Sequence, residues 1–195
     1  MLSSSPFPTS SSENTRKYFK SRSLLPLKKN SLWRIETGVV RNMTWHEDGT
    51  LVMLGVWGTG DIVGRALSRV EPYQIECLTT VEATIIPLED LYPLTEVLIA
   101  HIEQAEELMV IRSYKTVEMM LMKLLCWLVK KFGREVETGH LIDLRLTHQD
   151  IAEMLNSTRV TITRVLIDLE EQGLIQRLPL HRIVLKEEDV WHYEI

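Results

Sequence analysis

Between Leu146 and Ile175 the sequence LTHQDIAEMLNSTRVTITRVLIDLEEQGLI admits two short helices back to back and little else. Thr147 and Asp150 carry the spacing of a reciprocal helix cap, although the stronger form has Glu or Gln in the last place. Ile151, Ala152 and Leu155 then give the first helix one apolar face. Asn156-Ser157 interrupts the pattern, and Ser157 is expected to cap a second helix that Gly173 ends. At 100° per residue, Ile162, Val165, Leu166 and Leu169 fall in a stripe about 100° wide, which is the expected buried face. Two such helices joined by a tight turn make a helix-turn-helix, whose second helix enters the DNA major groove by its N-terminal residues.

Arg159, Val160, Thr163 and Arg164 span an arc of about 140° nearly opposite that stripe, so they point outward. An arginine here can pair with both acceptors of a guanine edge, and a valine suits a thymine methyl. Taken alone, the two arginines read more readily as ordinary solvated helix charges than as base readers. The surrounding pattern turns the reading towards DNA.

The rest of the chain divides around this unit. Residues 1–15, which include MLSSSPFPTSSS, are too rich in Ser and Pro to bury a core and are expected to form a disordered tail. The basic run Arg16, Lys17, Lys20, Arg22, Lys28 and Lys29 reads as a solvated arm, with contact to DNA or another partner as the alternative. Short strand patterns follow at Leu32–Ile35, Val39–Trp45, Thr50–Val56, Ile75–Leu78 and Ala83–Ile86, and Glu47-Asp48-Gly49 is a hairpin turn. They imply an antiparallel β-roll over 16–94, short at its N-terminal edge. Thr95 to Phe132 contains neither Pro nor Gly and reads as one long helix ended by Gly133. Val110, Val117, Leu121, Leu124 and Leu128 repeat at threes and fours, except that Tyr114 fills one place, as a seam for a partner helix, with packing against the roll as the alternative. In 133–195, strands at Leu141–Leu146, Ile175–Leu178 and Arg182–Leu185 flank the helix pair, with Pro179-Leu180-His181 at a turn, as in a winged helix-turn-helix. The expected fold class is therefore α+β.

Charge is segregated on this acidic chain of net charge −5. Residues 35–110 carry 13 acids against 3 bases, whereas Asn156 to Lys186 carries 5 bases against 3 acids. The helix pair is thus the mildly basic end, and its affinity for a polyanion is expected to depend on salt. No apolar run is long enough to span a membrane and no secretory signal is evident, so a soluble, cytoplasmic protein without membrane contact is expected. Cys77 and Cys126 are too few for a zinc site or a disulfide framework and read as reduced thiols, and the histidines lack paired ligand spacing. No metal or cofactor is expected, and no enzyme.

STRVTITRVL, Ser157 to Leu166, resembles the recognition helix of the cyanobacterial nitrogen-control branch of the Crp/Fnr family of bacterial transcription regulators, and the resemblance runs on through Glu170-Glu171-Gln172-Gly173-Leu174-Ile175. Back to about Leu24 the strands, hairpin and glycine-rich turn resemble that family's cyclic-nucleotide-binding-like sensor roll. The resemblance implies a homodimer through the long helix, a palindromic double-stranded DNA site, and an activator's contact with RNA polymerase at Glu135 to His140. Gly60-Asp61-Ile62-Val63-Gly64 matches the glycine part of a cyclic-nucleotide cassette, but Glu71-Pro72-Tyr73-Gln74-Ile75-Glu76 stands where an arginine and a small hydroxyl residue are expected. An unpaired Glu76 beside a phosphate repels it, so binding of cyclic nucleotide is not expected and the effector stays unassigned. The same absence argues against the 2-oxoglutarate response of the nitrogen-control branch.

Arg159, Val160 and Arg164 are the expected base readers, with Ser157, Thr158, Thr161 and Thr163 holding phosphates or bases nearby, Thr147 and His148 at the first helix, and Arg177, His181 and Arg182 at the wing. Common family members have a glutamate where this chain has Val160, and valine cannot accept from a cytosine amino group, so GTA-like half-sites are expected as in the nitrogen-control branch. Two alternatives remain at this stage: a degenerate member acting through protein contacts, and a cupin-like metal enzyme on the roll.

Overall fold

A computed structural model of the chain describes residues 16–90 and 92–186. The expected tail, residues 1–15, lies outside these residues.

Seven strands build the N-terminal roll: β1 (Arg16–Phe19), β2 (Ser31–Thr37), β3 (Val40–Trp45), β4 (Leu51–Trp57), β5 (Ile62–Val63), β6 (Gln74–Cys77) and β7 (Val81–Pro87). They pair antiparallel in two sheets, of order β1-β7-β2-β5 and β4-β3-β6. The β3–β4 hairpin turns at Glu47-Asp48-Gly49, where Asp48 accepts from the Thr50 amide at 2.8 Å and Gly49 takes a φ of 83°. Alternation places Trp33, Ile35, Val40, Trp57, Ile75 and Cys77 in the roll's core. Burial pushes the Cys77 thiol up to about 11, which leaves it protonated at neutral pH.

The basic run is not a free arm at Arg16, Lys17 and Arg22. Arg16 and Lys17 belong to the edge strand β1, which pairs with β7, and Arg16 and Tyr18 both reach Glu82. Arg22 is an ion-pair partner of the C-terminal half. An edge strand of two basic and two aromatic residues looks like an arm because its partner strand lies more than 60 residues away.

The long helix is two helices. α1 (Thr95–Arg112) and α2 (Val117–Phe132) are separated by Ser113-Tyr114-Lys115-Thr116, where the Ser113 hydroxyl donates to the Val110 carbonyl at 2.7 Å and Thr116 caps α2 by accepting from the Met119 amide at 3.2 Å. Side-chain hydroxyls compete with the helix ladder for backbone groups, so a chain can break here without Pro or Gly. The expected partner seam is accordingly wrong for most of its members. Leu121, Leu124 and Leu128 are fully buried within the chain, and Val117 packs against the same core; only Val110 is exposed. Every residue from Leu121 to Val129 is buried, as befits a helix enclosed on all sides. Its neighbours are α1, the C-terminal sheet and the second helix of the helix pair.

The C-terminal half contains β8 (Gly133–Val136), β9 (Gly139–Ile142), α3 (His148–Met154), α4 (Arg159–Glu171), β10 (Ile175–Leu178) and β11 (Arg182–Leu185), with sheet order β10-β11-β9-β8. The strand expected over Leu141–Leu146 ends at Ile142, and the loop expected over Glu135–His140 is the tip of the β8–β9 hairpin. One apolar core runs through both halves, from Val39, Met53, Val56 and Leu78 of the roll, across α2, to Ile151, Ile162 and Leu166.

Candidate nucleic-acid interface

Thr147 and Asp150 form the full reciprocal cap of α3: the Thr147 amide donates to the Asp150 carboxylate at 2.9 Å, and the Asp150 amide to the Thr147 hydroxyl at 3.1 Å. Asn156, at φ 49°, turns the chain, a left-handed conformation that Asn tolerates better than most residues. Thr158, not Ser157, caps α4 by accepting from the Thr161 amide at 3.1 Å. The Ser157 amide instead donates back to Ala152, which keeps Ser157 inside the turn. At the other end Gly173 has φ 79°, its amide donates to Glu170 and the Leu174 amide to Leu169, a glycine-based helix stop.

Ile162, Val165, Leu166 and Leu169 are buried, as their stripe requires. On the opposite side Arg159, Val160, Thr163 and Arg164 line one open depression, joined by Ile167. Val160 is 80% exposed at its centre. Ile167 was missed by the sequence reading, yet it lies seven residues after Val160 and so on the same helix face. Among the described residues, neither the Arg159 nor the Arg164 guanidinium has a hydrogen-bond or ion-pair partner, and both are exposed. A helix face that holds two uncommitted guanidinium forks around an uncovered valine matches the donor and apolar requirements of base edges.

The hydroxyls beside this face are engaged at home. Thr163 donates to the Arg159 carbonyl at 2.8 Å and meets His148 Nδ1 at 2.8 Å, and Thr158 and Thr161 hydroxyls lie 2.9 Å apart. Because Thr163 has given its one proton to Arg159, we assign the Nδ1 proton to His148. Burial, followed by the charges of His181, Arg177 and Arg159, holds the His148 pKa below its usual value, so its ring is neutral at neutral pH. The His148 and His181 rings lie edge to face, 6.1 Å apart, which brings the wing turn to the start of α3.

The wing arginines are not brought onto the α4 face. Arg177 is held by Glu170, with Nε and Nη2 at 2.7 and 2.6 Å from one carboxylate oxygen, and its amide donates to the other. These bonds hold the Glu170 carboxyl below its usual pKa. Arg182 lines a separate cleft with Arg145, Asp143, Leu180 and residues of the roll. In the roll, Gly60 takes φ 90° in its turn, while Asp61 accepts from the Gly58 amide and pairs with Lys131 of α2 at 2.7 Å. Gly64 is followed by a short 3-10 turn. Glu76 is not unpaired: Arg41 lies 2.6 Å from it.

Comparison with known proteins agrees with this geometry. Residues 121–190 match the Crp-like helix-turn-helix domain family. The chain is 42% identical over 159 residues to the regulatory protein CysR of Synechococcus elongatus, covering 80% of this chain and 77% of that protein. Over shorter stretches it is 36% identical to the global nitrogen regulator of a Nostoc species, covering 44% of this chain and 40% of that protein, and 41% identical to that of Synechococcus elongatus, covering 39% and 34%. Among solved structures, a CRP-family transcriptional regulator from Thermus thermophilus superposes with a TM-score of 0.77 at 22% identity, covering 91% of this chain and 95% of that one. FixK2 from Bradyrhizobium japonicum superposes at 0.76 and 17% identity, covering 93% and 97%. These relatives are regulators rather than enzymes. With a regulator matched along about three quarters of its length and the fold matched almost throughout, the chain belongs to the Crp/Fnr family of DNA-binding transcription regulators.

Proposed function

We propose that the chain works as a homodimer on a palindromic DNA site, each copy laying α4 in a major groove, and that it does so without a cyclic nucleotide. The observation that carries the reading is the exposed Arg159, Val160, Arg164 face, with both guanidinium groups uncommitted among the described residues. Val160 in place of a glutamate favours a base pair that offers a methyl over one that offers an amino group, hence GTA-like half-sites. A binding selection with the wild-type chain and with Val160→Glu tests this. The variant is expected to shift preference towards a cytosine at one position of each half-site. Identical selected sites from both proteins would remove Val160 from the readout.

A different seam from the one expected supports dimerisation. Ile99, Ile102, Met109 and Val110 of α1 are exposed and fall within about 100° of arc at 100° per residue, with Glu106 among them. Four apolar side chains in one stripe on a surface helix suit a partner helix. Ile102→Asp is expected to convert the chain to a monomer by sedimentation equilibrium while leaving its thermal stability nearly unchanged at concentrations where the wild type is monomeric. A dimer of undiminished strength would place the contact elsewhere.

Against a cyclic nucleotide stands the engagement of Arg65, the base that follows the glycine-rich turn, with Glu71 and with the carbonyls of Ser68 and Val70. The wing has a positioning role for Arg177, since Glu170 holds its guanidinium. The exposed Glu135, Glu137 and Thr138 at the β8–β9 hairpin are where the family resemblance puts contact with RNA polymerase.

A further inference from the structure

The halves of the chain share an apolar core, and beside it lies a cluster of charge. Arg41 of β3 is 6% exposed, with Nε 2.6 Å from Glu76 of β6 and Nη1 at 2.6 Å from Glu153 and 3.2 Å from Asp150, both of α3. Arg22, in the turn after β1, forks onto both oxygens of Asp150 at 3.2 and 3.1 Å and lies 3.7 Å from Glu76. Asp150 is 2% exposed and is also the acid of the α3 cap, so the residue that closes the first helix of the helix pair is the one the roll grips. At the far end of α3, Arg112 of α1 donates through Nε to the Met154 carbonyl at 2.6 Å and through Nη2 to the Met53 carbonyl of β4.

Both ends of α3 are thus held by arginines of the N-terminal half. Apolar packing is non-directional, whereas a forked guanidinium–carboxylate pair specifies an angle. The Arg41 pairs are buried and the Arg22 fork is half-exposed. Ion pairs of either kind add little net stability, because desolvation or solvent screening offsets most of the attraction, so the cluster points to orientation rather than to stability. Arg22 adds an independent sign. It stands at φ 67°, a left-handed conformation that is strained for a non-glycine residue and that glycine adopts without steric strain. The reading face of α4 stays open while the cluster is closed, so the closed arrangement is compatible with DNA.

We propose that Arg22, Arg41 and Arg112, closing on Asp150, Glu153 and the end of α3, are positioning residues that set the angle of the reading helix against the roll and thereby the half-site spacing that a dimer accepts. The inference rests on the palindrome reading above. Reading heads held at one angle fit half-sites one helical turn apart, whereas loosened heads tolerate other spacings and lose orientational entropy on binding.

The test uses the full chain and three DNAs: the selected palindrome, the same palindrome with one base pair added between half-sites, and a single half-site. Arg22→Gly keeps the backbone turn and removes the fork, and Glu153→Gln removes one carboxylate charge; neither residue is on the α4 face. The wild type is expected to prefer the native spacing by about tenfold or more, equivalent to about 1.4 kcal/mol. In both variants that preference is expected to fall to about threefold or less, with half-site affinity within about twofold of wild type. A spacing preference unchanged in both variants overturns the proposal, as does an equal loss on all three DNAs, which would mark damage to the reading head itself. Failure of the wild type to prefer any palindrome would instead overturn the reading on which the inference rests.

Discussion

Replacing Arg159 and Arg164 together by alanine is expected to lower affinity for the selected palindrome by roughly 10²-fold or more. Each bidentate arginine–guanine contact contributes about 1–3 kcal/mol of discrimination, so two contacts removed from every half-site amount to several kcal/mol. The fold should survive, since both side chains are exposed on a helix, lack partners among the described residues and give way to a better helix former. Fluorescence anisotropy at one fixed ionic strength separates the effects: specific binding collapses, while binding to random-sequence DNA weakens only by the loss of two charges per copy. Equal losses on specific and random DNA would make the arginines phosphate contacts, and unchanged binding would sink the site assignment.

The second large effect concerns α2. Leu124→Ala empties a fully buried site in the core shared by both halves and is expected to cost about 2–5 kcal/mol. For a chain of this size that is a fall in Tm of roughly 5–15 °C. Were Leu124 part of a dimer seam, its truncation would weaken the dimer and leave the monomer little changed. Burial predicts the reverse: a less stable fold, with the dimerisation constant of the folded protein close to wild type. Thermal melts beside sedimentation equilibrium decide between these results.

These two substitutions sit on opposite sides of what could be read from residues alone. The helix pair was legible because its signals are local. The Thr147–Asp150 cap, the buried stripe from Ile162 to Leu169, the stop at Gly173 and the outward arginines all arise within a few residues of one another, where periodicity and capping chemistry act. The cap of α4 was misplaced by one residue, because Ser157 and Thr158 offer the same chemistry and only the turn geometry separates them. The strands of the roll were legible for the same reason, apart from β1, whose only pairing partner among the described residues is β7, and the two-residue β5, too short to show alternation.

The spacing of Val117, Leu121, Leu124 and Leu128 is one that intramolecular packing and a partner seam produce equally, and the hydroxyl-rich break at Ser113–Thr116 lacks the usual helix breakers. Deciding between them required knowing what covers α2. The partners of Arg22 and Arg41 were hidden for a related reason, since Asp150 lies 128 and 109 residues further along the chain. The residues of Leu146–Ile175 determine a helix-turn-helix and its outward face, because hydrogen bonds and side-chain periodicity act over one or two turns. Which apolar stripe is core, which stays exposed, and which carboxylates hold the arginines of the roll were decided only by tertiary packing, because burial and ion pairing depend on distance in space.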